Sequence, residues 1–263
     1  MRNRNKGLAL VALVLLGVIG AFALVEPYPQ PQTYFLFADH RTLLGISNFW
    51  NVASNVLFLV PGIAGLWILG PGGHRGTLAE LDPAYHLFFA GVLLTAFGSA
   101  WFHLAPDNNS LFWDRLPMTI AFMALAAIIV GEHVSIVLGR RLLWPLLTLG
   151  AISVLYWDFS ESRDAGDLRL YGLVQFLPLL VIPVILLGYR SVFDRTRFIW
   201  ILFILYALAK LCELLDAAIY SLGQMISGHT LKHIVASLGP LLMLHGIMQR
   251  RRLPAASSER HAE

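Results

Sequence analysis

Eight apolar runs, at about residues 8 to 25, 48 to 69, 84 to 104, 115 to 137, 142 to 157, 170 to 188, 198 to 220 and 229 to 248, leave this chain few folds to choose from. Most come close to the ~20 residues that a helix needs to cross the hydrocarbon core of a bilayer. The chain is 57% hydrophobic and only 13% charged. That charged share is about half that of an ordinary soluble domain, too little to furnish a water-exposed surface. The fold class predicted is all-α, a polytopic transmembrane helical bundle. The run at 142 to 157 is short for a span and has little room to tilt. No internal repeat, soluble domain or long linker is visible.

Basic residues in the short loops set the orientation. With a cytoplasmic N-terminus, the inner segments hold Arg2, Arg4, Lys6, Arg75, Arg140, Arg141, Arg190, Arg195, Arg197, Arg250, Arg251, Arg252 and Arg260. The outer segments hold Arg41, Arg115, Arg163 and Arg169, and Lys210 and Lys232 fall inside helices, which accounts for all 19 basic residues. This asymmetry predicts an even number of spans with both termini cytoplasmic. The clusters orient helices, and no nucleic-acid signature accompanies them. Cys212, the single cysteine, excludes an internal disulfide and any cysteine-rich metal site. Residues 1 to 25 read as a transmembrane helix or signal anchor, and their basic start, apolar middle and small GAFA segment also suit a cleaved signal peptide. Either fate delivers residue 26 to the outer side.

The polar residues become informative once placed on this map. In FGSAWFHLAPDNN, Ser99 and His103 stand four residues apart, ~40° around a helix, on one face near the outer end of their span. Asp114 opens the next span in FWDRLPM, and His229 and His233 repeat the four-residue spacing at the outer start of the last one. Three histidines, a serine and an aspartate thus share one membrane level. Singly, each has a bland reading: Asp114 as a cap before Pro117, Ser99 bonded back to a carbonyl, a histidine resting at the headgroups. Together they make a set that is hard to obtain by accident. Three neutral imidazoles with a fourth position open describe a catalytic zinc site, since structural sites fill all four positions with protein ligands. Zinc activates water near neutral pH, Asp114 suits proton transfer and the Ser99 hydroxyl suits an oxyanion. The reaction class predicted is metal-assisted acyl hydrolysis.

Three blocks carry a resemblance: SNFWNVASNVLFLVPGIAG at 47 to 65, GSAWFHLAPDNNSLFWDRLPM at 98 to 118 and GHTLKHIVASLG at 228 to 239. In these the chain resembles the alkaline ceramidases, within the superfamily of seven-helix membrane hydrolases that includes the progestin and adipoQ receptors. FWNxxSN points to the ceramidases, and SxxxH, Asp and HxxxH belong to the whole superfamily. The resemblance implies a seven-helix catalytic domain over 26–249, preceded by the helix of 1–25 and followed by a basic, then polar tail at 250–263. It implies zinc on His103, His229 and His233, catalytic roles for Ser99 and Asp114, and a ceramide-like N-acyl sphingoid lipid as substrate, cut to a fatty acid and a sphingoid base. Family members also hold calcium near the zinc; Asp39 and Asn48 stand at the corresponding positions here, Asn48 where a glutamate is expected. Lys232 replaces what is often an aromatic, and is expected to meet a lipid phosphate or to snorkel to the interface.

Other polar residues fit a bundle interior. Asn48, Asn51 and Asn55 lie within ~60° of one another on a helix, as interhelical hydrogen-bonding glue or as a cavity wall. Lys210, Glu213 and Asp216 lie deep in the seventh span, where an unpaired charge costs about 2.5 to 3.5 kcal/mol on insertion scales. They predict an internal Lys210–Glu213 pair or a polar vestibule. His245 lies ~18 Å along the axis from His233 and is excluded from the metal set. The loop WDFSESRDAGDLR is a solvated loop or an entrance. Two other functions use the same residues: a receptor-like member of the superfamily that binds zinc without hydrolysis, and a proton or ion transporter.

Overall fold

The first apolar run forms α1, Arg2–Leu24, which packs along α7, Arg169–Gly188. Residues 2–70 and 75–254 are described in the computed structural model. Arg260 and the side chains of Arg2 and Arg4, counted above for orientation, lie outside the described residues. The second run makes α2, Phe49–Ala53, a tighter 3-10 stretch, Ser54–Phe58, and α3, Leu59–Leu69, as one continuous span. Next come α4, Asp82–Leu104, α5, Asn108–His133, α6, Ile136–Glu161, and α7, Arg169–Gly188. α8, Arg197–Leu214, breaks at Leu215 before the short α9, Asp216–Ser221, and α10, Gly228–Gln249, closes the bundle against α8. Among the described residues there is no strand, only isolated bridges at Leu43–Ile46 and Phe193–Arg252.

Seven segments are long and apolar enough to cross a membrane, which makes this a multi-pass membrane protein. Two expectations shift. The run expected to be short is one of the longest helices: α6 has 26 residues, because the helix continues through Arg140 and Arg141 at one end and through Asp158 and Glu161 at the other. The run at 198 to 220 is not among the seven, because Arg197, Lys210 and Glu213 lie within the 18 residues of α8 and the helix stops at Leu214. Even so, 18 residues extend ~27 Å, close to the core thickness of a bilayer.

The α4–α5 hairpin positions the functional residues. Asp107 accepts from the Ser110 backbone N–H at 2.6 Å and the Ser110 hydroxyl accepts from the Asp107 N–H at 3.0 Å, a reciprocal cap that fixes where α5 begins. Gly98 then allows the closest approach of the two helices, since a Cβ there would collide with the backbone carbonyl of Trp113. Ser99 and Asp114, the next residue on each helix, are brought together by that contact.

At the opposite end a second buried polar group ties three elements together. Arg250 donates to both carboxylate oxygens of Glu132, at 3.0 and 2.5 Å, and to the Gly76 carbonyl at 2.6 Å. Tyr85 donates to Glu132 at 2.5 Å, and the Phe193 ring lies 4.2 Å from the guanidinium. The larger apolar cluster, with Phe89, Ile128, Ile129 and Ile247, fills the space between this lock and the histidine end.

Candidate metal centre

His103 stands one residue from the end of α4, and His229 and His233 occupy the first two turns of α10. All three are buried, and their ligand nitrogens lie within 4.8 Å of one another. The ring centroids of His103 are 4.7 Å from His229 and 4.8 Å from His233. Among the described residues this is the group of histidines, cysteines and acids that converges closely enough to hold a metal ion.

Local structure explains how α10 delivers two of them. Ser227 caps the helix, accepting from the Thr230 N–H at 3.1 Å. Asp216 accepts the His229 backbone N–H at 2.7 Å with one oxygen and the Ala38 N–H at 2.9 Å with the other. A Cβ at Gly228 would lie 2.8 Å from Asp216 Cα, so glycine is needed for this approach. Asp216 is therefore a buckle between the helix start and the segment that roofs the site. Phe37 on that segment caps the histidines, its ring 4.8 Å from His103 and 4.9 Å from His229.

The nitrogens themselves report on what the site can take. Both ring nitrogens of His103 and Nε2 of His233 are buried without a hydrogen-bond partner. Leaving such groups unsatisfied costs about 1 to 3 kcal/mol each, so folded proteins rarely tolerate several together. The Ser54 hydroxyl donates to the Asn51 carbonyl at 3.2 Å and so accepts from His233 Nδ1 at 2.8 Å, which leaves the Nε2 electron pair free. His229 Nε2 accepts from Lys232 Nζ at 2.8 Å. Imidazole nitrogens from three rings, joined by no fourth histidine, cysteine or acid among the described residues, suit a metal ion that keeps an open coordination position.

Ser99, Asp114 and His233 line one cavity of about 220 Å³, which continues between Phe58, Phe88, Phe122 and Leu202 into the bundle. Asp114 is 7% exposed and shares this cavity wall with Ser99. It does not open its helix, as expected from the sequence: α5 begins at Asn108 under the Asp107 cap, and Pro117 is interior. The capping explanation of Asp114 is thereby removed.

Other expectations are redirected. Both oxygens of Asp39 are taken by Arg41, at 2.8 and 2.6 Å, and Asn48 donates to the His103 carbonyl at 2.8 Å, so the pair expected to hold calcium has other partners. Burial raises the Asp39 carboxyl, but the Arg41 hydrogen bonds and charge outweigh it and leave the pKa lowered. Asn51 accepts from Thr230 Oγ1 at 2.8 Å, which puts that member of the asparagine stripe in an interhelical joint. Lys232 lies on the wall of the same cavity. It turns inward to Glu213 at 2.9 Å, and Glu213 also pairs with Lys210. His245 lies beside Gln249 and Phe198, away from the site.

Sequence reasoning did not single out Ser54, Phe37 or Arg115. Ser54 was legible only as part of the FWNxxSN block, and nothing local distinguishes Phe37 from the other aromatic residues of its loop. The chain matches no family model and no curated protein.

Proposed function

We propose that this chain is a zinc-dependent intramembrane amide hydrolase that cleaves ceramide-like N-acyl sphingoid lipids to a fatty acid and a sphingoid base. Both termini would be cytoplasmic, as the basic residues favour, and the histidines would lie toward the other side. The observation that carries the reading is the meeting of three buried imidazoles, two with unpartnered nitrogens, one of which, His233, lines a cavity together with Ser99 and Asp114.

His103, His229 and His233 would hold the zinc ion, which supplies Lewis acidity toward the amide carbonyl and activates water near neutral pH. Asp114 takes the proton of the attacking water and returns it to the leaving nitrogen. The Ser99 hydroxyl donates to the oxygen on which negative charge develops. Ser54 holds the His233 ring through Nδ1 and so fixes the nitrogen presented to the metal. The phenylalanines farther in receive an acyl or sphingoid chain, and the Phe37 roof limits access of bulk water.

The test is metal analysis together with fatty-acid release from N-acyl sphingoid lipids, for the wild type and His233→Ala. The wild type is expected to carry one zinc per chain and to release fatty acid, and the variant to lose both. Full zinc and full activity in His233→Ala would overturn the reading. Stoichiometric zinc without hydrolysis of any N-acyl lipid would point to a receptor-like role.

A further inference from the structure

Arg115 follows Asp114 on α5 and is only 5% exposed. Its guanidinium carbon lies 4.1 Å from the centroid of the Trp157 ring and 4.4 Å from that of Tyr171. One nitrogen, Nη2, donates to Gln30 Oε1 at 2.5 Å. The other, Nη1, is buried with no hydrogen-bond partner. Among the described residues no carboxylate forms an ion pair with it.

That combination is costly for a residue with a purely structural task. A guanidinium stays charged in any protein environment, and a buried charge ordinarily needs an opposite charge or a full set of acceptors. The aromatic faces offset part of the charge, but they leave the Nη1 donor without an oxygen. Position 30 supplies a neutral amide where a glutamate of the same shape would have completed a salt bridge. The opposite end of the bundle shows that alternative, with Arg250 held by both oxygens of Glu132.

Arg115 lines the same cavity as Ser99, Asp114 and His233. Of the other charges on that wall, Lys210 and Lys232 share Glu213. Asp114 is the other carboxylate there, so three cations face two carboxylates, and Arg115 is the cation that no ion pair holds. The geometry points to a substrate whose polar end carries an anionic oxygen, carboxylate or phosphate, that accepts from Nη1 of Arg115. The planar fork of arginine matches both groups. The inference deepens the amide-hydrolase reading, on which it rests for the identity of the bond cleaved, by adding a negative charge near the amide that ceramide itself lacks.

The experiment uses the full chain, purified in detergent with its metal. Hydrolysis is compared within two matched pairs, N-palmitoylglycine against N-palmitoylethanolamine for a carboxylate, and ceramide 1-phosphate against ceramide for a phosphate. Binding is followed separately by the thermal shift that dodecylphosphonate produces over dodecanol. The variants are Arg115→Gln and Gln30→Glu. The latter gives the guanidinium an internal carboxylate at unchanged shape, so it keeps the test open where Arg115→Gln fails to fold. In the wild type the anionic member of at least one pair is expected to be favoured about tenfold or more in kcat/KM, the worth of one hydrogen bond to a charged group. Which pair shows the preference identifies the source of the oxygen. Both variants should bring that ratio toward one and abolish the extra shift from dodecylphosphonate.

Equal use of both members of both pairs by the wild type, with equal shifts from the two amphiphiles, would overturn the inference and leave the hydrolase reading standing. A phosphonate shift that depends on Arg115, without hydrolysis of any amide, would sustain the anion site and sink the hydrolase reading instead.

Discussion

The two ends of the bundle each bury a polar cluster, and they solve the problem in opposite ways. At one end Arg250, Glu132, Tyr85 and the Gly76 carbonyl satisfy one another, with no unpartnered side-chain atom in the group. At the other, His103, His233 and Arg115 all bury nitrogens that no described residue accepts from or donates to. A closed network locks helices. An open one, equally buried, spends stability on groups that the chain does not itself use. The contrast separates a structural lock from a site without any appeal to what either resembles.

The comparison breaks most directly by removing one member from each end. Glu132→Ala leaves the Arg250 guanidinium buried without its carboxylate, which should cost about 3 to 5 kcal/mol. The loss should appear as a lowered unfolding temperature in detergent whether or not metal is present. His103→Phe does the reverse in metal-free protein. It replaces an unsatisfied imidazole by a somewhat larger apolar ring, among Phe37, Phe102 and the other histidines, so relief of the buried nitrogens offsets crowding and stability should stay within about 1 kcal/mol or rise. The same variant should bind no metal. If Glu132→Ala proves mild and metal-free His103→Phe strongly destabilising, the division into lock and site is wrong.

A smaller effect should follow from the residue that bridges the closed and open styles. Ser54 contacts His233 Nδ1 at 2.8 Å and the Asn51 carbonyl at 3.2 Å, so it belongs to the packing and aims a metal ligand at once. Ser54→Ala should lower metal affinity or turnover about 10- to 100-fold, the usual loss on removing an outer-shell partner. Stability of the metal-free protein should barely move. Competition with a chromogenic chelator measures the first quantity, and an unchanged affinity would assign Ser54 to packing alone.

Much of the histidine end was legible because its information is local. Apolar length places helix ends at a membrane level, and a four-residue spacing places Ser99 with His103, and His229 with His233, on single faces. Neither cue tells which helix faces which. The inward turn of Lys232 depends on Glu213 lying across the α8–α10 contact, and the use of Ser54 depends on α10 meeting the 3-10 stretch, 179 residues away in sequence. The lock was invisible for the same reason. Glu132 and Arg250, 118 residues apart, sit at helix ends where charge is ordinary, and only tertiary structure buries them together. The length of α6 escaped because helix propagates through charged flanking turns that an apolar window ends on.

The smallest effect expected tests whether acid sensitivity belongs to the rim of the histidine end. Asp167, in the turn between α6 and α7, accepts from Arg169 at 2.9 and 2.8 Å and from Tyr156 at 2.8 Å. The Arg169 hydrogen bonds, ahead of every other influence, hold its carboxyl at about 2, against 3.8 for the ordinary group. A carboxyl depressed in the folded state stabilises fully above its unfolded value, and the contribution fades as pH falls through the folded one. Stability should therefore drop between about pH 4 and pH 2, by about 1 kcal/mol once screening at the rim is allowed for. Asp167→Asn should flatten that part of the profile. If the acid-induced loss persists undiminished in Asp167→Asn, the acid-labile contact lies elsewhere and Asp167 does not set the acid limb of the profile.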